Sequence, residues 1–267
     1  MINIIVCVKQ VLNPEMPPGK FRIAPDTNKV LPPEGIPPVM SPFDEQAVEA
    51  ALRVKEKNEA KITLISIGGK TAVDVIKHGL AMGADEGVLL QDAVFDGGDS
   101  VSTAYVLTQA IKKLGKYDLI LCGRQAADWD QGQVGSLIAE NLGIPPVTFA
   151  KKIEAGAGKL RIERVILDGH EVAEVAMPAV VTVSNEIGTP RLPAGRNIML
   201  AARKVVPTWT AKDIGADPAL TGAAGARTKL LKLFIPVREA KCEMISGENA
   251  AEAGTKLADR LRTAKLI

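Results

Sequence analysis

The sequence predicts an α/β fold: a mostly parallel, doubly wound sheet carrying an added antiparallel hairpin and an extended C-terminal arm that ends in a helix. Three observations predict it. The first half alternates short apolar runs with longer amphipathic stretches, as βαβ units do. Residues 159–183 change to near-alternation around Asp168-Gly169, a hairpin-type pair. Residues 188–226 are rich in Pro, Gly and Ala with basic residues between, a composition that cannot bury a core alone. With 267 residues there is room for one large domain and an appendage, expected at 1–187 and 188–267.

In chain order, INIIVCV (2–8), ITLISI (62–67), GVLL (87–90) and LILC (119–122) read as strands buried on both faces. Ser41 as N-cap, Pro42 in the first turn and the acids Asp44 and Glu45 open a helix through about residue 57. Thr71 and Asp74 have capping-box spacing, and Gly83 closes a second helix. Asp99 or Ser100 caps a third, running to about Leu114. A fourth starts at Val134 and ends at Gly143, before Pro145 and Pro146. Ser246 to Ala264 has helical periodicity, and the arm before it is expected to lie on another surface.

Composition excludes several classes. A net charge of +2 leaves no electrostatic footprint for nucleic acid. Cys7, Cys122 and Cys242 are scattered and odd in number, which suggests no disulfide framework or metal cluster and fits a reducing setting, cytoplasmic or an organelle matrix. No apolar run is long enough to span a bilayer, and the start lacks a basic region, so neither membrane insertion nor export is expected. His78 and His170 are isolated, so no metal site is expected of them.

The most informative segment is GRQAADWDQGQVG, Gly123 to Gly135, directly after a predicted strand. In a parallel sheet a loop entering a helix at that place presents free backbone N–H groups to phosphate. Gly123, Gly132 and Gly135 permit close approach, and Arg124, Gln125, Asp128, Asp130 and Gln133 supply donors and acceptors. It is neither a Walker loop nor G-x-G-x-x-G. A polar surface loop that uses glycines only for turning is the alternative at this point.

That loop, together with SPFDEQAVEAALRVKEK (41–57), HGLAMGAD (78–85), PRLPAGRNIM (190–199), VCVKQ (6–10) and MPAVVTV (177–183), resembles the beta subunit of electron transfer flavoproteins over nearly the whole chain. The resemblance implies an adenine-nucleotide alpha-hydrolase-like domain. It also implies that adenosine and phosphate are held at Cys7, at Ser41, Pro42, Phe43 and Asp44, at Ile67, and along Gly123, Arg124, Gln125, Ala126, Ala127, Asp128, Trp129, Asp130, Gln131, Gly132, Gln133 and Val134. Trp129 could cover the ligand or face a partner. An obligate alpha subunit carrying most of a second FAD is implied too.

Members of this family divide between those holding AMP in this subunit and electron-bifurcating members holding a whole FAD. Asp99, Ser100 and Thr103 match the Asp-Ser/Thr-x-x-Thr pattern of the latter, whose hydroxyls lie near the isoalloxazine. Leu167 stands where many of them carry an acid. The bifurcating reading implies NADH as hydride donor, and acyl-CoA dehydrogenase or ferredoxin as partner. The segment 190–204 would include the dehydrogenase-recognition loop, with Gly195 where a bulky anchor is common. No side chain is expected to act as general acid or base, because the flavin carries the chemistry. The rivals are a conventional member with structural AMP and a stand-alone adenine-nucleotide sensor.

Overall fold

Each predicted buried run of the first half becomes a strand of one sheet. In the computed structural model, which describes residues 1–24, 26–236 and 242–267, the elements in chain order are β1 (Ile2–Cys7), β2 (Gln10–Val11), β3 (Arg22–Ala24), β4 (Lys29–Leu31), β5 (Val39–Met40), α1 (Pro42–Lys57), β6 (Ala60–Ile67), α2 (Val73–Met82), β7 (Glu86–Leu90), α3 (Ser100–Leu114), β8 (Leu119–Gly123) and α4 (Val134–Leu142). There follow β9 (Pro146–Gly156), β10 (Lys159–Ile166), β11 (Gly169–Ala176), β12 (Ala179–Val183), α5 (Gly195–Arg203), β13 (Thr208–Trp209), α6 (Gly222–Gly225) and α7 (Ala250–Thr263).

The main sheet has nine strands in the order β11-β10-β9-β12-β8-β1-β6-β7-β13. Six strands from β12 to β13 run parallel, β9 joins β12 in parallel, and β10 and β11 are antiparallel to their neighbours. From β1 the chain winds outward through β6 and β7, then returns to β8 on the other side. The switch point therefore lies between β1 and β8, where Cys7 and Cys122 are register partners, and ligands of such sheets bind at the carboxyl ends there.

Alternation along the strands divides the core. Ile4, Val6, Ile62 and Leu64 pack with Val48 and Leu52 of α1 and Ile76 and Leu80 of α2. Ile5, Ile65, Ile120 and Val180 pack on the other face with Leu107 and Ile111 of α3 and Ile138 of α4. Burying each such aliphatic side chain contributes about 1.5–3 kcal/mol. Truncating Ile120, fully buried at the centre, would cost about 2–5 kcal/mol.

Three sequence expectations need correction. Ser41 precedes α1 with Pro42 at its first position, but its hydroxyl makes no cap. Thr71 lies in a short 3-10 turn, with its hydroxyl on the Gln10 side-chain oxygen rather than on a helix end. The arm at 188–226, expected to lie on another surface, packs on α2 and β7 of the same unit. It forms α5 against α2, extends the sheet as β13, and buries Ala201, Ala211, Ile214 and Thr221. The short apolar spacing inside a Pro/Gly-rich background hid these elements.

The hairpin expectation holds for β10 and β11, which pair in full register with Leu167 and Asp168 between them. Ala179–Val183 does not extend it but becomes a fully buried parallel strand beside β8. The chain divides into two compact units, Met1–Leu231 and Lys232–Ile267. The second contains α7, capped by the Asn249 side chain accepting the Glu252 N–H at 3.0 Å, and none of its helical residues is buried. Residues 237–241 of the expected C-terminal segment lie outside the described residues.

Candidate functional site: a cleft at the switch point

A cavity of about 530 Å³ opens at the carboxyl ends of β1, β6 and β8, within the size range of small-molecule sites. Cys7, Lys9, Asp44 and Ile67 line one part, Gly123–Ala126, Trp129 and Gln131–Gly135 a second, and Asp99, Ser100 and Thr103 a third. Most of the sequence-expected residues thus meet around one space.

Asp44 organises the first part. Its carboxylate accepts the Lys9 N–H at 2.8 Å through Oδ2 and the Gly123 N–H at 3.1 Å through Oδ1. Burial drives its pKa from 3.8 up to about 7, and those two N–H bonds restrain the rise. Cys122 beside it is held well above the ordinary thiol range by its hydrogen bond with Cys7 and by burial, which makes the Cys122 thiol a poor nucleophile.

The loop after β8 is fastened from several sides. Lys9 Nζ lies 2.6 Å from Asp128, Gln125 Nε2 donates to Asp130 at 2.8 Å, and the Ala127 N–H reaches the buried Ser41 hydroxyl at 3.4 Å. Arg124 lies 5.0 Å from the Phe43 ring centre, a cation–π distance. Gly123 and Gly135 are required by close approach. A Cβ at 123 would stand 2.6 Å from Asp44 Oδ1, and one at 135 would stand 2.5 Å from Thr182 Cγ2. Ser41, Phe43, Ala127, Asp128 and Asp130 fasten the loop through these contacts, and neither they nor Pro42 line the cavity.

These residues fit a phosphate. The first turn of α4 has N–H groups at 134–136 with no helical acceptor, and its dipole favours an anion. Arg124 Nε is buried with no hydrogen-bond partner. That is an unspent donor beside a helix N-terminus, inside a cleft.

The third part differs from expectation in detail. Asp99 Oδ1 caps α3 through the Val101 N–H at 2.9 Å and the Ser102 N–H at 3.1 Å, with Ser102 completing a capping box. Its Oδ2 accepts from the N–H groups of Arg227 (2.7 Å) and Thr228 (2.9 Å) and from the Thr228 hydroxyl (3.1 Å). Both oxygens are occupied within the chain. Ser100 donates its hydroxyl to the Gln131 side-chain oxygen, which joins α3 to the phosphate-type loop.

Sequence reasoning missed Lys9, Cys122, Phe95, Leu107, Thr228 and Leu230, all on the cavity wall. Lys9 and Cys122 could have been found, since each sits at the carboxyl end of a predicted strand. Thr228 and Leu230 carry no local signal. Among the described residues no group of three or more His, Cys, Asp or Glu is arranged to hold a metal, and no helix is long and apolar enough to cross a membrane.

The model of the electron transfer flavoprotein domain matches residues 30–214. The chain is 41% identical over its full length to the full length of the electron transfer flavoprotein subunit beta of Thermoanaerobacterium thermosaccharolyticum. This chain belongs to the electron transfer flavoprotein beta-subunit family. It is also 40% identical to the beta subunit of Megasphaera elsdenii, over 88% of each chain, and 36% identical, over all of both, to the caffeyl-CoA reductase-Etf complex subunit CarD of Acetobacterium woodii. Membership makes electron transfer beside an alpha subunit the function of this electron transfer flavoprotein beta chain, and the flavin or AMP association of the family matches the phosphate-fitting cleft.

Proposed function

We propose that this beta subunit holds a whole FAD in the cleft and takes part in flavin-based electron bifurcation in the cytoplasm. Electrons would come from NADH or a flavin dehydrogenase such as acyl-CoA dehydrogenase, and leave to other acceptors including ferredoxin through an alpha subunit carrying a second FAD. The observation that carries this reading is continuity: Cys7 and Ile67, Gly123–Ala126 with Gln131–Gly135, and Ser100 with Thr103 line one cavity rather than separate ones.

A flavin, when bound, supplies two-electron acceptance and one-electron release; the protein supplies position and electrostatics. Cys7 and Ile67 would border the adenosine, and Arg124 with the 134–136 amides would hold the phosphates. Thr103 and Ser100, three residues apart on one face of α3, would offer hydroxyls to the ring. Asp99 acts one step back, by fixing the start of α3.

A second reading, AMP as a purely structural ligand, has an observation of its own. Ser100 already donates to Gln131 and Asp99 is fully engaged, which leaves Thr103 as the free hydroxyl of the motif. A stand-alone sensor is disfavoured by exposed apolar surface in both units. Leu192, Met199 and Val205 are 90%, 63% and 92% exposed, as are Phe234 and Met244 at 67% and 86%. Such surfaces suit an alpha subunit and a dehydrogenase, and the segment 188–267 is the proposed partner-facing region.

The test is a count of FAD and AMP released on denaturing the co-expressed heterodimer. Two FAD and no AMP is expected; one FAD with one AMP rejects the bifurcating reading.

A further inference from the structure

The segment after β13 is stitched to the α3 side of the unit by a series of bonds. The Ala211 N–H donates to Asp92 Oδ2 (3.0 Å), Lys113 Nζ to the Asp213 carbonyl (2.6 Å), the Asp217 N–H to the Tyr105 hydroxyl (2.9 Å) and the Ala223 N–H to the Asp96 carbonyl (2.9 Å). The last fastenings before the unit ends are Asp99, with three bonds to Arg227 and Thr228, and Asn28, whose side-chain amide donates to the Leu231 carbonyl at 3.2 Å. Between these anchors Thr228 and Leu230 line the cavity. Leu231 is then 82% exposed.

We infer that Thr228 and Leu230 form a fourth wall of the nucleotide site, and that Asp99 is the positioning residue that pins this wall in place. The inference rests on the reading of the cavity as an adenine-nucleotide or flavin site. Asp99 has two separable tasks. Oδ1 serves the helix and Oδ2 serves the arm, so the family-type Asp at this place acts on the ligand through the chain it holds rather than by touching it. An acceptor shared by two amides and a hydroxyl is a strong anchor because the carboxylate is charged. Losing it frees residues 227–230 to shift at the mouth, with the Asn28 bond to the Leu231 carbonyl holding the far end of the wall.

The test uses the co-expressed heterodimer with Asp99→Ser and Thr228→Val. Serine retains an N-cap acceptor but is too short to reach the arm. Valine removes one arm bond and leaves both amides in place. Two rates are read: tryptic cleavage after Arg227 and Lys229, and release of bound FAD or AMP followed by gel filtration. Asp99→Ser is expected to raise both by about tenfold, the factor equivalent to ~1.4 kcal/mol, with Thr228→Val between it and wild type. A cap-only role for Asp99 predicts wild-type rates for both variants and would overturn the inference. Faster cleavage with unchanged nucleotide release would overturn the wall. A wild-type complex that holds no adenine nucleotide would overturn the functional reading as well, and it is told apart by the cleavage rates, which need no ligand.

Discussion

Asp44 accepts the backbone N–H of Gly123 at 3.1 Å, so the first turn of α1 directly fixes the first residue of the loop that enters α4. The same carboxylate holds the Lys9 amide beyond β1. One buried side chain thereby sets the relative positions of the first turn of α1 and the two carboxyl-end segments at the switch point.

Burial raises the Asp44 pKa to about 7, against two N–H bonds that lower it. Between the ordinary carboxylate range and that value the folded protein holds a proton that the unfolded chain has lost. The stabilising contribution is complete below the unfolded pKa and disappears as pH rises through about 7. Asp44→Asn should flatten this dependence and, by turning an amide N–H toward one of the two donors, cost about 1–3 kcal/mol. Denaturant midpoints measured on either side of neutrality check it; an unchanged pH profile in the variant would assign the titration elsewhere.

Gly135→Ala would bring a methyl to 2.5 Å from Thr182 Cγ2 at the entrance of α4. The clash should cost about 1–3 kcal/mol and weaken nucleotide retention, as overpacking does. Thr182→Ser removes that methyl but keeps the hydroxyl that accepts the Phe149 N–H at 3.1 Å. The double variant should therefore recover most of the loss, measured by melting and by bound-nucleotide content; failure of serine to rescue would mean that the contact is not the cause.

Lys9 joins the end of β1 to Asp128 at 2.6 Å while lining the cavity. Both partners are partly exposed, so its effect on stability should be below about 1 kcal/mol. Lys9→Met should instead speed nucleotide release by several-fold, because loop order and a cation near the phosphates are lost together. A variant with wild-type release kinetics would limit Lys9 to the surface ion pair.

Glu49, 4% exposed, accepts from Arg53 at 2.8 Å and from Arg191 at 2.8 Å, tying α1 to the segment before α5. Burial raises its pKa, but the Arg191 and Arg53 hydrogen bonds outweigh burial and hold it below the usual range. Its contribution is present above the unfolded pKa and lost as pH falls through the lowered folded one. Because both arginines are partly exposed, Glu49→Gln should cost about 1–3 kcal/mol. Acid unfolding should shift to higher pH, and limited proteolysis near residue 191 should accelerate.

The parallel core and the glycine loop were legible because burial on both faces and helix-entry chemistry leave local marks: Ile4 to Cys7, Leu119 to Cys122 and the Asp99 cap all fall where the pattern puts them. What depends on chain segments distant in sequence was not. Ser41 has the identity of a cap, yet its hydroxyl serves the Ala127 amide, 86 positions away. The strand β12 reads like the hairpin preceding it, and only its burial between β8 and β9 makes it parallel. The arm carried no strand signal because β13 has two residues and pairs only with β7.

The central claim is that the amides of the loop entering α4 cradle the phosphate of an adenine nucleotide that continues toward Ser100 and Thr103. A crystal structure of the heterodimer with its copurified cofactor tests this most directly. The account predicts phosphate oxygens within hydrogen-bond distance of Arg124 and the 134–136 amides, adenosine beside Cys7 and Ile67, and the flavin ring at Thr103. A nucleotide bound elsewhere, with this loop facing solvent, would contradict it.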